Sequence, residues 1–258
     1  MPLLDVKGIS IAFGGLKAVN NVGFHVNENE IVSLIGPNGA GKTTIFNILT
    51  GVYQISEGHV FFNGGDITNK TPHELIRLGV ARTFQNIKLC NRMRVVENVL
   101  MGMDMLTDYN LLDAMFRTGR YRRNEREKHM RAVEILKVLG LEHRLNDYAG
   151  DLPYGERRKL EIVRAIATGA KLLLLDEPAA GMNDAESQEL LEFIALMREG
   201  GFTILLIEHD MNVVMNISDR IYVLDYGVKI AEGRPREIAD NPKVIKAYLG
   251  EVTENAED

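Results

Sequence analysis

The stretch Gly36-Pro37-Asn38-Gly39-Ala40-Gly41-Lys42-Thr43-Thr44 carries the most information in this sequence of 258 residues. It follows an apolar run, Ile31 to Ile35, and leads into a segment of helical character that ends near Leu49. Its spacing fits the P-loop pattern G-x-x-x-x-G-K-[ST], and the order strand, glycine-rich loop, helix is the context that this pattern requires. The sequence therefore predicts a loop that binds the phosphates of a nucleoside triphosphate.

Each part of this loop has a physical role. Three glycines allow the backbone to turn successive N–H groups toward phosphate oxygens, and the helix start adds unpaired donors and a positive dipole end. Lys42 is expected to contact the β- and γ-phosphates, and the Thr43 hydroxyl to bind Mg²⁺. The alternative is a glycine-rich turn with a chance lysine, and the flanking strand and helix argue against it.

The composition is that of an ordinary folded protein, with 45% hydrophobic and 26% charged residues. A net charge of −6 gives no overall field that favours nucleic acid or an anionic membrane surface. The one cysteine, Cys90, excludes an internal disulfide and suits a reducing compartment. No apolar run approaches the roughly 20 residues that span a bilayer, and we expect no signal peptide. Any membrane association is therefore expected to depend on a partner.

The N-terminal part is predicted to contain short antiparallel strands. Alternating apolar residues from Leu4 to Phe13 indicate short strands that Gly14-Gly15 interrupts, and Phe24 to Val26 continues the pattern. The stretch from Gly58 to Gly65 is typical of a strand that ends in a tight turn.

The later part is predicted to form a mostly parallel sheet. Leu172 to Leu175 and Thr203 to Ile207 are nearly continuous apolar runs, as expected for parallel strands covered on both faces. A helical pattern from Glu189 to Arg198 separates them, which makes a βαβ unit. Ile221 to Leu224 is predicted to be a further strand, followed by a hairpin turn at Tyr226-Gly227.

The middle of the chain is predicted to be helical. Apolar residues recur at helical spacing from Met130 to Leu139, and a shorter amphipathic set runs from Tyr109 to Phe116. Basic residues outnumber acidic ones between Arg117 and Arg131. A solvent-exposed helix face is the favoured explanation for this basic run, and contact with an acidic or membrane-proximal partner is the alternative.

Together these patterns predict one α/β unit: a P-loop NTPase core with a mostly parallel sheet, an N-terminal antiparallel β subdomain and a helical subdomain. We expect residues 1–92 and 165–240 to form the core and residues 93–164 the helical subdomain. Residues 241–258 are expected to hold a C-terminal helix, near Pro242 to Leu249, and a frayed acidic tail.

Two carboxylates, Asp176 and Glu177, follow the apolar strand that begins at Leu172. A buried strand would hold Asp176 rigidly at the phosphate site, where it can bind Mg²⁺ directly or through water. Glu177 is then placed to orient, or to accept a proton from, the water that attacks the γ-phosphate. Strands often end in polar residues, but after a P-loop the metal interpretation is favoured.

This order of motifs resembles the ATP-binding subunits of ABC transporters over nearly the whole chain. The family's signature segment, Leu-Ser-Gly-Gly-Gln, is matched by Leu152-Pro153-Tyr154-Gly155-Glu156, which differs from it at three positions. The resemblance implies an ABC ATPase cassette, ATP as the nucleotide, and two chains that sandwich two ATP molecules head to tail. Tyr154, Gly155 and Glu156 would then lie against the ATP of the opposite subunit. Pro153 brings neither a hydroxyl nor an N–H, so Gly155 and the amides after it are the expected phosphate donors.

The resemblance implies roles at four further positions. Gln85 matches the Q-loop glutamine, which touches Mg²⁺ or the attacking water, and His209 matches the switch histidine, which stabilises charge on the γ-phosphate. Phe13 matches an aromatic residue that stacks on adenine, and core packing is the alternative explanation for a phenylalanine in a strand. Asn183 matches a D-loop position where many relatives carry aspartate, so it keeps hydrogen bonding but loses the charge.

The resemblance narrows to the ATPases of branched-chain amino acid importers. It rests on Phe13 to Val19, Arg82 to Asn86, Pro153-Tyr154-Gly155, Ala179 to Asn183 and Ala247 to Gly250. It implies a second ATPase subunit in a homo- or heterodimer, two transmembrane permease subunits and, indirectly, an external protein that delivers leucine, isoleucine or valine. The expected location is the cytoplasmic face of the inner membrane, with no nucleic acid partner. ATPases of urea or amide importers and of lipopolysaccharide export share much of the pattern and are the alternatives.

Three other classes of ATPase use related motifs. Chromosome and DNA-repair ATPases carry long heptad coiled coils between the two halves of the cassette, and this sequence has none. Translation-associated ATPases normally carry two cassettes and a basic linker, whereas this chain has one P-loop and an acidic balance. A P-loop kinase needs neither the signature segment nor the switch histidine. The resemblance to ABC transporter ATPases implies that ATP closes a dimer and that hydrolysis through Glu177 reopens it.

Overall fold

The computed structural model describes residues 1–104 and 118–254, which form the α/β fold that the sequence predicts. The strands are β1 (Leu4–Phe13), β2 (Leu16–Val26), β3 (Ile31–Ile35), β4 (Glu57–Phe62), β5 (Gly65–Asp66), β6 (Val80–Arg82), β7 (Leu172–Asp176), β8 (Thr203–Ile207), β9 (Arg220–Asp225) and β10 (Val228–Gly233). The helices are α1 (Lys42–Leu49), α2 (Pro72–Leu78), α3 (Val95–Met103), α4 (Gly119–Val138), α5 (Tyr154–Ala167), α6 (Asp184–Glu199), α7 (Met211–Ile217), α8 (Pro235–Ala239) and α9 (Pro242–Glu254). Within these residues, no helix is both long enough and apolar enough to cross a membrane.

The N-terminal sheet is antiparallel, with strand order β2-β1-β4-β5. The expectation of short strands was wrong: β1 runs unbroken for 10 residues and β2 for 11. Gly14 and Gly15 do not interrupt a strand but turn a long hairpin, closed by the pairing of Phe13 with Leu16. Both glycines have positive φ, as a two-residue hairpin turn requires. Bulges shift the register of β1 against β2 at three points, which explains the imperfect alternation in the sequence.

The second sheet has six strands in the order β10-β9-β3-β8-β7-β6. All neighbours are parallel except β10, which pairs with β9 in the predicted hairpin. Every residue of β3, β7 and β8 is buried, as the continuous apolar runs predict. The carboxyl ends of β3, β8, β7 and β6 therefore lie side by side at one edge, where parallel sheets bind their ligands.

Strand β7 separates two apolar clusters. Leu172 and Leu174 pack with β1, β2 and α1, whereas Leu173 and Leu175 pack with α3, α4, α5 and α6. Successive side chains of a strand point to opposite faces, so Asp176 lies on the same face as Leu174, toward α1. This alternation fixes the direction of the first carboxylate of the predicted site.

The helices lie largely where the apolar spacing predicts them. Helix α4 contains the apolar set near Leu136, and its C-cap is Leu139. Helix α9 extends to Glu254, beyond the predicted end. The set from Tyr109 to Phe116, Arg117 and the last four residues of the acidic tail lie outside the described residues. The sequence reasoning did not anticipate β6, α2, α7 or α8.

Candidate active site

The P-loop connects the buried strand β3 to helix α1, and two of its glycines lie against neighbouring backbone. A Cβ at Gly36 would lie 2.1 Å from the carbonyl oxygen of Leu224, and one at Gly41 would lie 2.6 Å from that of Ala18. Both glycines have positive φ. No larger residue fits these positions without moving β9 or β2.

The start of α1 is suited to an anion. Gly41 is its N-cap residue, no side chain caps its first N–H groups, and its first turn contains no acidic residue. The Lys42 ammonium donates to the carbonyl oxygens of Gly36 and of Pro37, the second at 2.8 Å, so it lies along the loop. Pro37 and Ala40 are buried, Thr44 is half-buried, and Asn38, Gly39 and Thr43 are exposed. Uncapped amides, a positive dipole end and an ammonium together fit a triphosphate.

The structure brings together Glu177, which the sequence predicts at the end of its strand, and Gln85 and His209, to which the resemblance assigns roles in hydrolysis. Glu177 follows β7, His209 follows β8 and Gln85 follows β6. The Gln85 Nε2 atom donates to Glu177 Oε2 at 2.9 Å, and His209 Nδ1 lies 3.7 Å from the same oxygen. The arrangement holds a carboxylate between an amide donor and an imidazole at the ligand-binding edge of the sheet.

The backbone of Glu177 adopts a conformation that is uncommon for a residue with a side chain. Its φ is 45°, and its N–H donates to the Ile207 carbonyl at 2.9 Å. Left-handed conformations of this kind cost about 1–3 kcal/mol and occur preferentially at functional sites. The side chain is 24% exposed, so water can reach the carboxylate.

Asp176 has a partner that the sequence reasoning did not identify. Its Oδ2 atom lies 2.6 Å from Arg82 Nη2, and both side chains are less than 10% exposed. Arg82 Nη1 also donates to Asn47 Oδ1 of α1 at 2.7 Å. The guanidinium lies over the rings of Phe46 and Phe84. Asp176 is thus held rigidly at the end of its strand, as predicted, but by an ion pair as well as by the sheet.

The residues expected to hold Mg²⁺ lie at the end of β7, at the start of α1 and after β6. Asp176 and Thr43 offer carboxylate and hydroxyl oxygens, the ligand type that Mg²⁺ prefers. In residues 1–104 and 118–254, no three His, Cys, Asp or Glu side chains lie together as a protein-only metal site would need. The donor set therefore fits a Mg²⁺ ion that takes its remaining ligands from phosphates and water.

A second carboxylate, Glu208, lies buried behind this cluster. Its Oε1 accepts the N–H of Ala179 at 2.9 Å, and its Oε2 accepts the N–H of His209 at 3.3 Å. Burial raises the pKa of Glu208 above its ordinary value. Glu208 therefore fixes the backbone of the histidine and of the segment that follows Glu177.

The Phe13 side chain lies at the end of the β1–β2 hairpin and is 45% exposed. Its ring meets that of Tyr53 edge to face, with 5.1 Å between the centroids. This exposure argues against the core-packing explanation. Ala18 of the same hairpin contacts the P-loop at Gly41, so the ring belongs to an element that borders the loop.

The signature segment forms the N-terminus of α5. Pro153 is the N-cap residue and offers no side-chain hydrogen bond, so the amides of the first turn have no cap. The hydroxyl of Tyr154 donates to the carbonyl of Ala180 at 3.1 Å, which joins the signature to the D-loop. The Glu156 carboxylate pairs with Arg144 at 2.9 Å.

Asn183 of the D-loop caps α6, because its side chain accepts the N–H of Glu186 at 3.0 Å. Gln85, Glu177 and His209 thus form one cluster, and the signature and D-loop form a second.

Sequence reasoning missed three charged residues near these clusters: Arg82, Glu208 and Arg158. All three are largely buried, and Arg158 is completely so. The available signal was their position, at the end of a short strand for Arg82, next to a buried strand for Glu208 and within an apolar helix face for Arg158. A charge in such a place requires a partner, but the sequence does not say which one.

Comparison with known proteins identifies the family of this chain. A family model described as ABC transporter matches residues 19–180, and one described as branched-chain amino acid ATP-binding cassette transporter matches residues 228–253. The chain is 48% identical to the high-affinity branched-chain amino acid transport ATP-binding protein BraF of Pseudomonas aeruginosa, covering 97% of this chain and 98% of BraF. It is 47% identical to the corresponding LivG of Escherichia coli over the same shares.

Solved structures show the same fold. The ADP conformation of an ATP-binding cassette of an ABC transporter superposes with a TM-score of 0.85 at 36% identity, covering 97% of this chain and 99% of that one. A nucleotide-free ATP-binding cassette from an ABC transporter gives a TM-score of 0.83 at 35% identity, with coverage of 96% and 99%. With identity above 30% over nearly full length, the chain belongs to the ABC transporter family, among the ATP-binding proteins that include BraF and LivG.

Proposed function

We propose that this protein is the ATP-hydrolysing subunit of an importer of branched-chain amino acids. The identity to BraF and LivG over nearly the whole chain supports the transport role, and the match at residues 228–253 supports the branched-chain amino acid substrate. The observation that best supports ATP hydrolysis is the placement of the Glu177 carboxylate between Gln85 and His209.

ATP is proposed to bind with its phosphates at the start of α1 and with adenine on the exposed face of Phe13. Lys42 would release the loop carbonyls and turn its ammonium to the β- and γ-phosphates. When bound, Mg²⁺ would neutralise phosphate charge, and Thr43, Asp176 and Gln85 are the residues that would hold it.

Hydrolysis is assigned to Glu177. Gln85 and His209 both approach Oε2, which leaves Oε1 of Glu177 to orient the attacking water and accept its proton. The imidazole of His209 is then close enough to stabilise charge that develops on the γ-phosphate.

The second cluster is proposed to serve the ATP of the opposite subunit. Backbone amides at Tyr154, Gly155 and Glu156 form an uncapped helix start, which is an anion site in the same way as the start of α1. Asn183, held in its capping box, would contact the partner at the D-loop. ATP binding would close the dimer and hydrolysis would reopen it.

The proposed complex lies on the cytoplasmic face of the inner membrane. It contains a second ATPase subunit, identical or different, two transmembrane permeases and, indirectly, an external solute-binding protein. Within this chain we propose a core of residues 1–92 and 165–240, a helical subdomain of residues 93–164 that contacts the permease, and a C-terminal part of residues 241–258.

The test is to purify the tagged protein from its own cells in mild detergent and to identify every subunit that accompanies it. We expect two polytopic membrane proteins and a second, similar ATPase. After reconstitution with its binding protein, the complex should hydrolyse ATP faster when leucine, isoleucine or valine is added. Stimulation by urea or an amide alone would reassign the solute, and recovery of ribosomes or DNA-bound proteins instead would overturn the transport role.

A further inference from the structure

We propose that Arg158 and Glu161 are a positioning pair that couples the loop beside this chain's own ATP to the helix start that faces the ATP of the opposite subunit. This inference rests on the proposed function, because it needs two ATP sites. It concerns α5, the helix that begins with the signature segment.

The Arg158 side chain is completely buried and reaches from α5 to the loop that follows β6. Its Nη1 atom donates to the carbonyl oxygen of Phe84 at 2.7 Å, and its Nη2 atom donates to that of Gln85 at 2.6 Å. Nη1 also lies 2.9 Å from Glu161 Oε2. The planar guanidinium thus binds two consecutive carbonyls and one carboxylate through two separate nitrogen atoms, a fixed spacing of donors that the single nitrogen of an ammonium does not reproduce.

Glu161 holds the same loop at a second point. It is 2% exposed, and its Oε1 atom accepts the N–H of Lys88 at 3.0 Å. Residues 83–90 form neither helix nor strand, so their backbone polar groups need other partners. The buried pair supplies them at both ends of the segment from Phe84 to Lys88, which fastens this segment to α5.

The fastened segment contains Gln85, whose side chain touches Glu177 in the chain's own hydrolysis cluster. On the other side, Arg158 lies one helical turn after Tyr154, at the start of α5. Both charged side chains lie on α5, so moving the loop away would take two carbonyl acceptors from the buried guanidinium and an amide donor from the buried carboxylate. Leaving buried charged groups without their hydrogen-bond partners is strongly unfavourable. A displacement of Gln85 is therefore transmitted to the amides of the first turn of α5.

The two ends of this connection serve different nucleotides. Gln85 responds to ATP on the P-loop of the same chain, and the first turn of α5 binds ATP held by the partner. The pair therefore makes ATP binding at one site change the geometry at the other. We expect positive cooperativity between the two sites that depends on Arg158 and Glu161.

The test uses Arg158→Lys and, as a second variant, Glu161→Gln. Lysine keeps the buried charge beside Glu161 but has all its donors on one nitrogen, so it cannot reproduce the separate contacts of Nη1 and Nη2 with the loop carbonyls. Glutamine keeps an acceptor for the Lys88 amide but removes the ion pair. The matched control is Lys159→Gln. Lys159 is the next residue of α5, and it pairs with Glu189, whose side chain is largely exposed.

The first readout is hydrogen exchange of the full-length chain in a Glu177→Gln background, with and without ATP. In the parent and the control, ATP should slow exchange both at residues 84–88 and at residues 154–158. In the two test variants, the effect should stay at residues 84–88 and disappear from residues 154–158. Retained protection at both segments in both variants would overturn the coupling.

The second readout is steady-state hydrolysis by the purified transport complex. The parent should show a Hill coefficient for ATP approaching 2, the number of sites, and the test variants one close to 1. We expect kcat to fall about 10- to 100-fold, as a small misplacement of positioned groups does, with no change in ATP affinity of the isolated chain. If Arg158→Lys fails to fold, the isolated variant will have lost its affinity for ATP. In that case the results for Glu161→Gln test the coupling. If the parent itself neither binds nor hydrolyses ATP, the proposed function fails and this inference with it.

Discussion

The Nε2 atom of Gln85 donates to Oε2 of Glu177 at 2.9 Å, and this bond joins the loop after β6 to the end of β7. The two residues are 92 positions apart in the chain, and the parallel pairing of β6 with β7 brings them together. The proposed base is therefore oriented before any nucleotide arrives, and orientation of this kind lowers the barrier for attack by water.

Replacing Glu177 with glutamine tests this role directly. The substitution keeps the size and the contact with Gln85 but removes the group that accepts a proton. We expect hydrolysis to fall by at least about 100-fold, the usual contribution of a general base, with ATP binding retained. Phosphate release measures the first quantity and equilibrium nucleotide binding the second.

The same variant should accumulate as an ATP-bound dimer, detectable by size-exclusion chromatography with light scattering. Glu134→Gln is the control, because Glu134 is exposed on α4, far in sequence from the proposed site. Full hydrolysis by Glu177→Gln would remove Glu177 from its assigned role.

Replacing Lys42 with alanine should weaken ATP binding itself. Charge-assisted hydrogen bonds contribute about 1.5–3 kcal/mol each, so the loss of the ammonium should raise the Kd for ATP by about 10- to 100-fold. Isothermal titration of the full-length chain provides the measurement, with Lys171→Ala, an exposed lysine before β7, as the control. An unchanged Kd in Lys42→Ala would contradict the P-loop assignment.

Replacing Arg82 with methionine should destabilise the fold. The side chain of similar length leaves Asp176 with an uncompensated buried charge, which typically costs about 3–5 kcal/mol. The free energy of unfolding in urea measures this loss. Arg198→Met is the matched control: Arg198 lies 2.9 Å from Asp219, but both side chains are substantially exposed, so the expected loss is about 0–1 kcal/mol. Equal losses in the two variants would mean that burial does not strengthen the Arg82–Asp176 pair.

The parallel sheet could be predicted because its strands are short continuous apolar runs, and the polar residues that follow them must meet at one edge. That reasoning led to Glu177, whereas His209 was assigned through the family resemblance, and the structure places His209 Nδ1 3.7 Å from Glu177 Oε2. Their catalytic roles stay predictions. The first hairpin was predicted less well, because its bulges disturb the alternation and hide the true length of β1.

The missed elements are short and depend on local signals or on tertiary contacts. Thr71, Pro72 and Glu74 form a capping box with proline at the first turn of α2, a signal that was present in the sequence but not used. The long-range partners, Asp176 of Arg82 and the Phe84 carbonyl of Arg158, were not predictable, since each is more than 70 residues away and no local pattern encodes it.

Glu208 predicts a dependence of stability on pH. The unfolded chain ionises this carboxyl near 4.5, whereas burial raises its pKa in the folded protein. Between those two values the folded state binds more protons than the unfolded state, so this group's contribution to stability falls as pH rises.

Glu208→Gln removes this pH dependence, because the glutamine side chain does not ionise. The free energy of unfolding of the variant relative to the parent should therefore increase as pH rises above about 4.5, by up to about 1.4 kcal/mol for each pH unit, and level off above the folded-state pKa. Urea unfolding of both proteins from pH 4 to 8 measures this difference, and one that stays constant or shrinks with rising pH would show that burial does not control the ionisation of Glu208.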